Sequence, residues 1–165
     1  MAASSASESG SKERITIYTD GASSGNPGPG GYGIVMVYKG KGREFSEGFR
    51  RTTNNRMELL AVIVALEKIR WENMPVDVVS DSRYVVDAVN KKWVFGWEKK
   101  NYKDKKNPDL WKRFLKVYRK HQVKMHWIKG HNDHPMNERC DELAVMAAKG
   151  PNLPADAGYE NGATG

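Results

Sequence analysis

Four acidic residues stand where their chain positions bring them within reach of one another: Asp20, Glu58, Asp81 and Asp141. Asp20 closes the β-branched and aromatic run Ile-Thr-Ile-Tyr-Thr, and Asp81 closes Val-Asp-Val-Val-Ser. Both runs read as short strands. In open α/β sheets, sites form outside the carboxyl ends of strands, so two parallel neighbours would present these acids side by side. Glu58 opens a long apolar-periodic stretch and Asp141 lies in the first turns of another, so both can face the same sheet edge. Unpaired carboxylates gathered there repel one another and raise each other's pKa. Hard divalent cations relieve that repulsion through oxygen ligands, and Mg²⁺ needs only a few carboxylates plus a substrate phosphate. The plainer reading makes each acid an ordinary cap or surface residue; it suits Glu67 and Asp87, which fit exposed helix faces.

The elements that must position these acids follow from periodicity. Strands are expected at residues 15–19, 32–38 and 43–51, joined by a turn-rich segment (21–31) and a turn at 39–42. Three strands joined this way imply an antiparallel meander. The spacing then switches to helical over 57–71, with Asn54 or Asn55 as cap and Pro75 as breaker. A buried strand over 76–80 and a helix over 82–91 follow. Further on come a helix over 108–120, a strand over 123–128 and a helix over 136–149, stopped by Gly150 and Pro151. A meander followed by βαβ units gives an α/β fold, a five-stranded mixed sheet flanked by helices.

The chain has 165 residues and a formal net charge of +7, with a pI near 9.4. That length suits one domain, read here as residues 13–150 between a disordered tail (1–12) and a flexible tail (151–165). Charge is not spread evenly. Residues 91–124 hold 13 of the 27 Lys and Arg against three acids, and Trp93, Phe95, Trp97 and Tyr102 are interleaved with them. Such a block points to a polyanion partner, with a solvated helix face as the plainer alternative. No apolar run is long enough for a membrane span and the N-terminus has no secretory signal, so a soluble protein of a reducing compartment is expected. A single cysteine, Cys140, excludes a disulfide framework. His131, His134 and Cys140 do not read as a zinc site, because the histidines share a loop and the nearby carboxylates suit harder metals. Gly28-Pro29-Gly30-Gly31-Tyr32-Gly33 matches a dinucleotide fingerprint in letters only: it opens a strand instead of a helix, so no nucleotide cofactor is expected.

Four motifs carry a resemblance: Tyr18-Thr19-Asp20-Gly21; Thr52-Thr53-Asn54-Asn55-Arg56-Met57-Glu58-Leu59; Ser80-Asp81-Ser82-Arg83-Tyr84-Val85; and Gly130–Pro135 continuing through Asn137–Ala144. In order and spacing the chain, over about residues 14–149, resembles the type 1 ribonucleases H of bacterial, single-domain form. The resemblance implies that Asp20, Glu58, Asp81 and Asp141 hold two Mg²⁺ ions, with Mn²⁺ as a substitute. It implies hydrolysis of the RNA strand of RNA–DNA hybrids, leaving a 5′-phosphate and a 3′-hydroxyl, with little regard to sequence. His131, in a polar loop and able to change protonation near pH 7, is implied to assist proton transfer and product release.

The same resemblance implies the substrate contacts. Ser23, Asn26, Asn54 and Asn55 would face the hybrid's minor groove, where short amides and hydroxyls read the 2′-hydroxyl. Arg83 stands where many relatives have an amide, which leaves a phosphate contact open to it. Arg51, Thr53 and Asn107 would form a phosphate pocket for the DNA strand. Residues 91–106 resemble the family's basic protrusion, with Lys99 and Lys100 among its cations. Trp93 and Trp97 there either line a channel for the DNA backbone or pack the protrusion on the body. Trp111 and Trp127 alternate with apolar neighbours and are expected in the core. A free-standing monomer is expected. The alternatives are a hybrid-binding module without catalysis, or another nuclease or strand transferase of the same fold.

Overall fold

The computed structural model describes residues 13–130 and 134–162. Its centre is a five-stranded sheet in the order β3-β2-β1-β4-β5. The strands are β1 (Ile15–Ser23), β2 (Gly28–Tyr38), β3 (Lys41–Thr52), β4 (Pro75–Ser80) and β5 (Gln122–Trp127). The first three form the expected antiparallel meander; β4 joins β1 in parallel and β5 joins β4 in parallel. The helices are α1 (Asn54–Glu67), α2 (Arg83–Asn90), α3 (Trp93–Lys99), α4 (Pro108–Tyr118), α5 (Pro135–Ala148) and the short α6 (Ala157–Glu160).

The core lies between the sheet and α1. Residues Met57 to Ile63 and Ala65 to Leu66 of this helix are all buried, so it is apolar almost all round, as a helix enclosed on most sides should be. It packs on β1 and β2 on one side and on α4 on the other. Ile15, Ile17, Ile34, Val76, Val78, Trp111 and Phe114 complete the same cluster. On the opposite sheet face lies α5. The glycines of β2 and β3 let it approach: a side chain at Gly31, Gly33 or Gly48 would strike the carbonyl oxygens of Ala144, Cys140 and Ala147.

Several boundaries differ from the sequence expectation. β1 runs past Asp20 to Ser23 and β2 begins at Gly28, because the glycines that read as turn residues are ladder residues made small by the helix above them. α1 starts at Asn54 and ends at Glu67, short of Trp71; its cap is Thr53, whose hydroxyl accepts from the Arg56 amide at 3.2 Å, so neither Asn54 nor Asn55 caps it. The basic protrusion contains a helix of its own, α3. Trp127 is not core: it is 39% exposed at the end of an edge strand, whereas Trp111 is 1% exposed. The segment read as a flexible C-terminal tail packs on the body through its described residues. Asp156 is buried, and the Arg50 amide donates to the Pro154 carbonyl at 2.9 Å.

Candidate active site

Parallel pairing of β1 with β4 places Tyr18 opposite Val79, so the two strands deliver Asp20 and Asp81 to one edge. Glu58 reaches that edge because the backbone of α1 presses on β1. Gly21 has no side chain, and any Cβ there would strike the Glu58 amide nitrogen. A carboxylate oxygen from each of Asp20, Glu58 and Asp81 lies within 4.8 Å of the other two. Asp141, on α5, stands within hydrogen-bonding reach of Asp20. Three of the four acids expected from the sequence therefore meet, with Asp141 beside Asp20. Gly130 lies against this edge, since a side chain there would meet the Asp81 carboxylate at 2.6 Å.

The cluster is electrostatically uncomfortable without a counter-ion. Asp20 and Glu58 are only 4% and 7% exposed. Burial, reinforced by the charges of Asp81 and Asp141, pushes the Asp20 carboxyl up to about 8, although the Gly21 amide donates to it at 2.9 Å. Burial, then Asp20 and Asp81, drives Glu58 well above the usual carboxylate range. Its Oε1 is buried without a hydrogen-bond partner among the described residues. An all-oxygen donor set, mutually repelling and with a buried unpartnered oxygen, fits a hard divalent cation. Among the described residues no histidine or cysteine joins this group. Cys140 is buried, which lifts its thiol to about 12 and leaves it inert.

Around the acids, the turn residues are tied to one another. The Ser23 amide donates to Asn54 Oδ1 at 3.1 Å, and the Asn54 amide donates to Asn26 Oδ1 at 3.0 Å. Ser23, Asn26, Asn54 and Asn55 thus share one ridge beside Asp20. Arg83 is exposed next to Asp81; its guanidinium stacks 3.9 Å from the Trp127 ring centroid, and the Trp127 indole donates to the Asp81 carbonyl at 3.1 Å. His131 lies outside the described residues.

Arg51 is exposed on β3, but Thr53 is buried and Asn107 wholly so. The Asn107 amide accepts from Arg56 Nη1 at 3.1 Å and donates to the Tyr84 hydroxyl at 2.9 Å. Of the expected phosphate pocket, only Arg51 offers its side chain freely to solvent. In the protrusion Trp93 is 48% exposed, with Lys91 Nζ 5.2 Å from its ring centroid. Trp97 packs edge-on against Trp111 at 5.5 Å, so it joins protrusion to body. A groove of about 730 Å³ opens within the protrusion beside both indoles, lined by Lys92, Lys100, Lys103 and Lys105 together with Asp104. Lys99 is exposed on the same helix.

Sequence reasoning missed an ionic cluster behind this edge, in which buried Arg56 pairs with buried Asp156 and with Asp109 at the surface. Arg56 sits inside a recognised motif, but nothing local marks Asp156 as its partner 100 positions away.

Comparison with known proteins agrees with the geometry. Residues 12–149 match the family model described as RNase H. A curated ribonuclease H of Desulforamulus reducens is 58% identical over 149 residues, covering 87% of this chain and 93% of that protein. One from Trichodesmium erythraeum is 52% identical over 154 residues, covering 90% and 98%. Among solved structures, LC9-RNase H1, a type 1 RNase H with the type 2 active-site motif, superposes with a TM-score of 0.77 at 33% identity, covering 91% of this chain and 80% of that one. LC11-RNase H1, solved in complex with an RNA/DNA hybrid, gives 0.62 at 30% identity, covering 81% and 96%. With its acids gathered at the β1–β4 edge of this sheet, the chain belongs to the ribonuclease H family, a family of metal-dependent enzymes.

Proposed function

We propose that this protein is an endoribonuclease that hydrolyses the RNA strand of RNA–DNA hybrids, leaving a 5′-phosphate and a 3′-hydroxyl, largely without sequence preference. The observation that carries the reading is the meeting of Asp20, Glu58 and Asp81 within 4.8 Å in a chain of this family. Two Mg²⁺ ions, or Mn²⁺, held by these three and Asp141 would supply an activated water and neutralise charge developing on the scissile phosphate.

The chain's own residues do the rest. The four carboxylates fix the geometry; Asp20 and Glu58 are buried and Asp81 and Asp141 half-buried at one shared edge, so little rearrangement is needed at the moment of reaction. His131 takes and releases a proton and helps the product leave. The ridge of Ser23, Asn26, Asn54 and Asn55 meets the minor groove and reads the 2′-hydroxyl, the feature that separates RNA from DNA. Arg83, held over Trp127, adds a cation beside Asp81 for an RNA-strand phosphate. Arg51, with Thr53 and Asn107 behind it, takes a phosphate of the DNA strand. Trp93, Trp97, Lys99 and Lys100 carry the DNA backbone along the protrusion. We read the protein as a cytoplasmic monomer with no nucleotide cofactor.

The test is an end-labelled RNA–DNA hybrid incubated with Mg²⁺ or with EDTA, beside RNA duplex, DNA duplex and single-stranded RNA. Metal-dependent cutting confined to the RNA of the hybrid is expected. Tight binding without cutting would make the protein a hybrid reader, and cutting of DNA duplex alone would make it another nuclease of this fold.

A further inference from the structure

Arg56 lies two residues before Glu58 and is 1% exposed. A guanidinium has five N–H donors in a fixed fork, and a buried one left unpaired is costly. Here all five are used. Nε and Nη2 donate to Asp156 at 2.7 and 3.0 Å, Nη1 and Nη2 to Asp109 at 3.0 and 2.8 Å, and Nη1 to Asn107 Oδ1 at 3.1 Å. Asp156 comes from the C-terminal segment after α5. Its Oδ2 also accepts from the Thr52 hydroxyl at 2.7 Å, and its side chain caps α6 through the Tyr159 amide. The same segment holds β3 twice more. The Arg50 amide donates to Pro154, and the Arg50 guanidinium pairs with Glu160 at 2.7 and 2.9 Å.

Three separate pieces of chain therefore converge on one buried cation: the β3–α1 junction, the start of α4 and the C-terminal segment. The β3–α1 junction carries Arg51, Thr53, Asn54 and Asn55, and Asn54 in turn fixes Ser23 and Asn26. Glu58, by contrast, is seated independently, by its backbone contact with Gly21. The tie thus bears on the residues assigned to the hybrid more than on the acids assigned to the metal.

We propose that Asp156 is a positioning residue for hybrid binding: the C-terminal strap, through the Arg56 guanidinium and the Thr52 hydroxyl, sets the substrate ridge of the β3–α1 junction. The proposal rests on the functional reading above. An amide at 156 cannot serve both Thr52 and the two Arg56 donors, because one of its two atoms is itself a donor. The junction then loses its register while the metal edge keeps its own.

The test is Asp156→Asn in the full chain, assayed on hybrid with Mg²⁺ well below its melting temperature. KM should rise about tenfold with kcat changed less than about twofold, the pattern of lost binding rather than lost chemistry. Hybrid affinity by fluorescence anisotropy with Ca²⁺ in place of Mg²⁺ should fall in parallel. Thr52→Val, which removes one tie and leaves the ion pair, should shift KM in the same direction by less, and it decides the matter if Asp156→Asn does not fold. A lowered melting temperature with KM and affinity unchanged would overturn the proposal and make the strap a stabiliser only. A wild type that binds hybrid but does not cut it would overturn the functional reading instead, with the affinity loss still expected of the variant.

Discussion

Asp20 is the residue on which several forces act at once. Burial comes first, then the charges of Asp81 and Asp141, and together they lift its carboxyl to about 8. In the unfolded chain the same group titrates near about 3.9. The folded form therefore binds the proton more tightly, and in metal-free protein this contribution to stability is full below about pH 4 and is lost as pH rises through about 8. Asp20→Asn removes the charge while keeping the shape. Thermal melts in EDTA at pH 8 should show the variant more stable than the wild type, with the difference shrinking by pH 5. Cleavage of the hybrid should be abolished while hybrid binding persists; activity near that of the wild type would remove Asp20 from the metal site. Asp20 and Asp81 were legible because β-branched runs announce where strands end. Asp156 was not, since its pairing is long-range and its own neighbours, Pro154 to Gly158, show no periodicity. Trp127 alternates like a core residue, but β5 is an edge strand and its last residue has no layer above it.

At the scale of elements, the mount of α5 decides where Asp141 stands. The helix lies on backbone at Gly31, Gly33 and Gly48 instead of on side chains. Gly33 is the partner of Asp20 across the β1–β2 ladder, so one of the two tightest points of contact sits directly beside the site. Gly33→Ala puts a methyl against the Cys140 carbonyl, which has no flexible end to move aside. Overpacking of this kind costs roughly 1–3 kcal/mol. A lower melting temperature is expected together with a drop in kcat, because the helix must lift and carry Asp141 with it. A melt and a turnover assay on one preparation check both. Sequence reading placed Gly33 and Gly48 within strands but left Gly31 in the turn-rich segment, three residues after the strand in fact begins. Local composition cannot distinguish a glycine that bends the chain from one that admits a neighbour.

For the molecule as a whole, cations are concentrated at one end. The protrusion between Lys91 and Lys106 holds seven lysines against Glu98 and Asp104, and Glu98 is already paired with Arg119 at 2.7 Å. Replacing Lys99, Lys100, Lys103, Lys105 and Lys106 with Ala should weaken hybrid binding and flatten its dependence on salt, because fewer counter-ions are released. Titrations at several salt concentrations measure the slope; an unchanged slope would mean the protrusion touches no phosphate. The basic excess was legible because charge is counted directly from the chain. That the segment folds into α3 and docks through Trp97 was not, because a seven-residue helix with an uncapped start depends on the body beneath it.

The two borders of the sheet carry a different consequence. β3 and β5 are the border strands, β3 covered at Arg50 by the C-terminal segment, and unpaired strand backbone invites another chain to add to it. Along β3 the exposed positions are Gly42, Ser46 and the charged Lys41, Arg43, Glu44, Glu47, Arg50 and Arg51; along β5 Lys124 and His126 are exposed beside Gln122 and Trp127. A second copy approaching either border would have to bury charge against charge. The ionic dress of these strands is thus a guard against fibrous stacking.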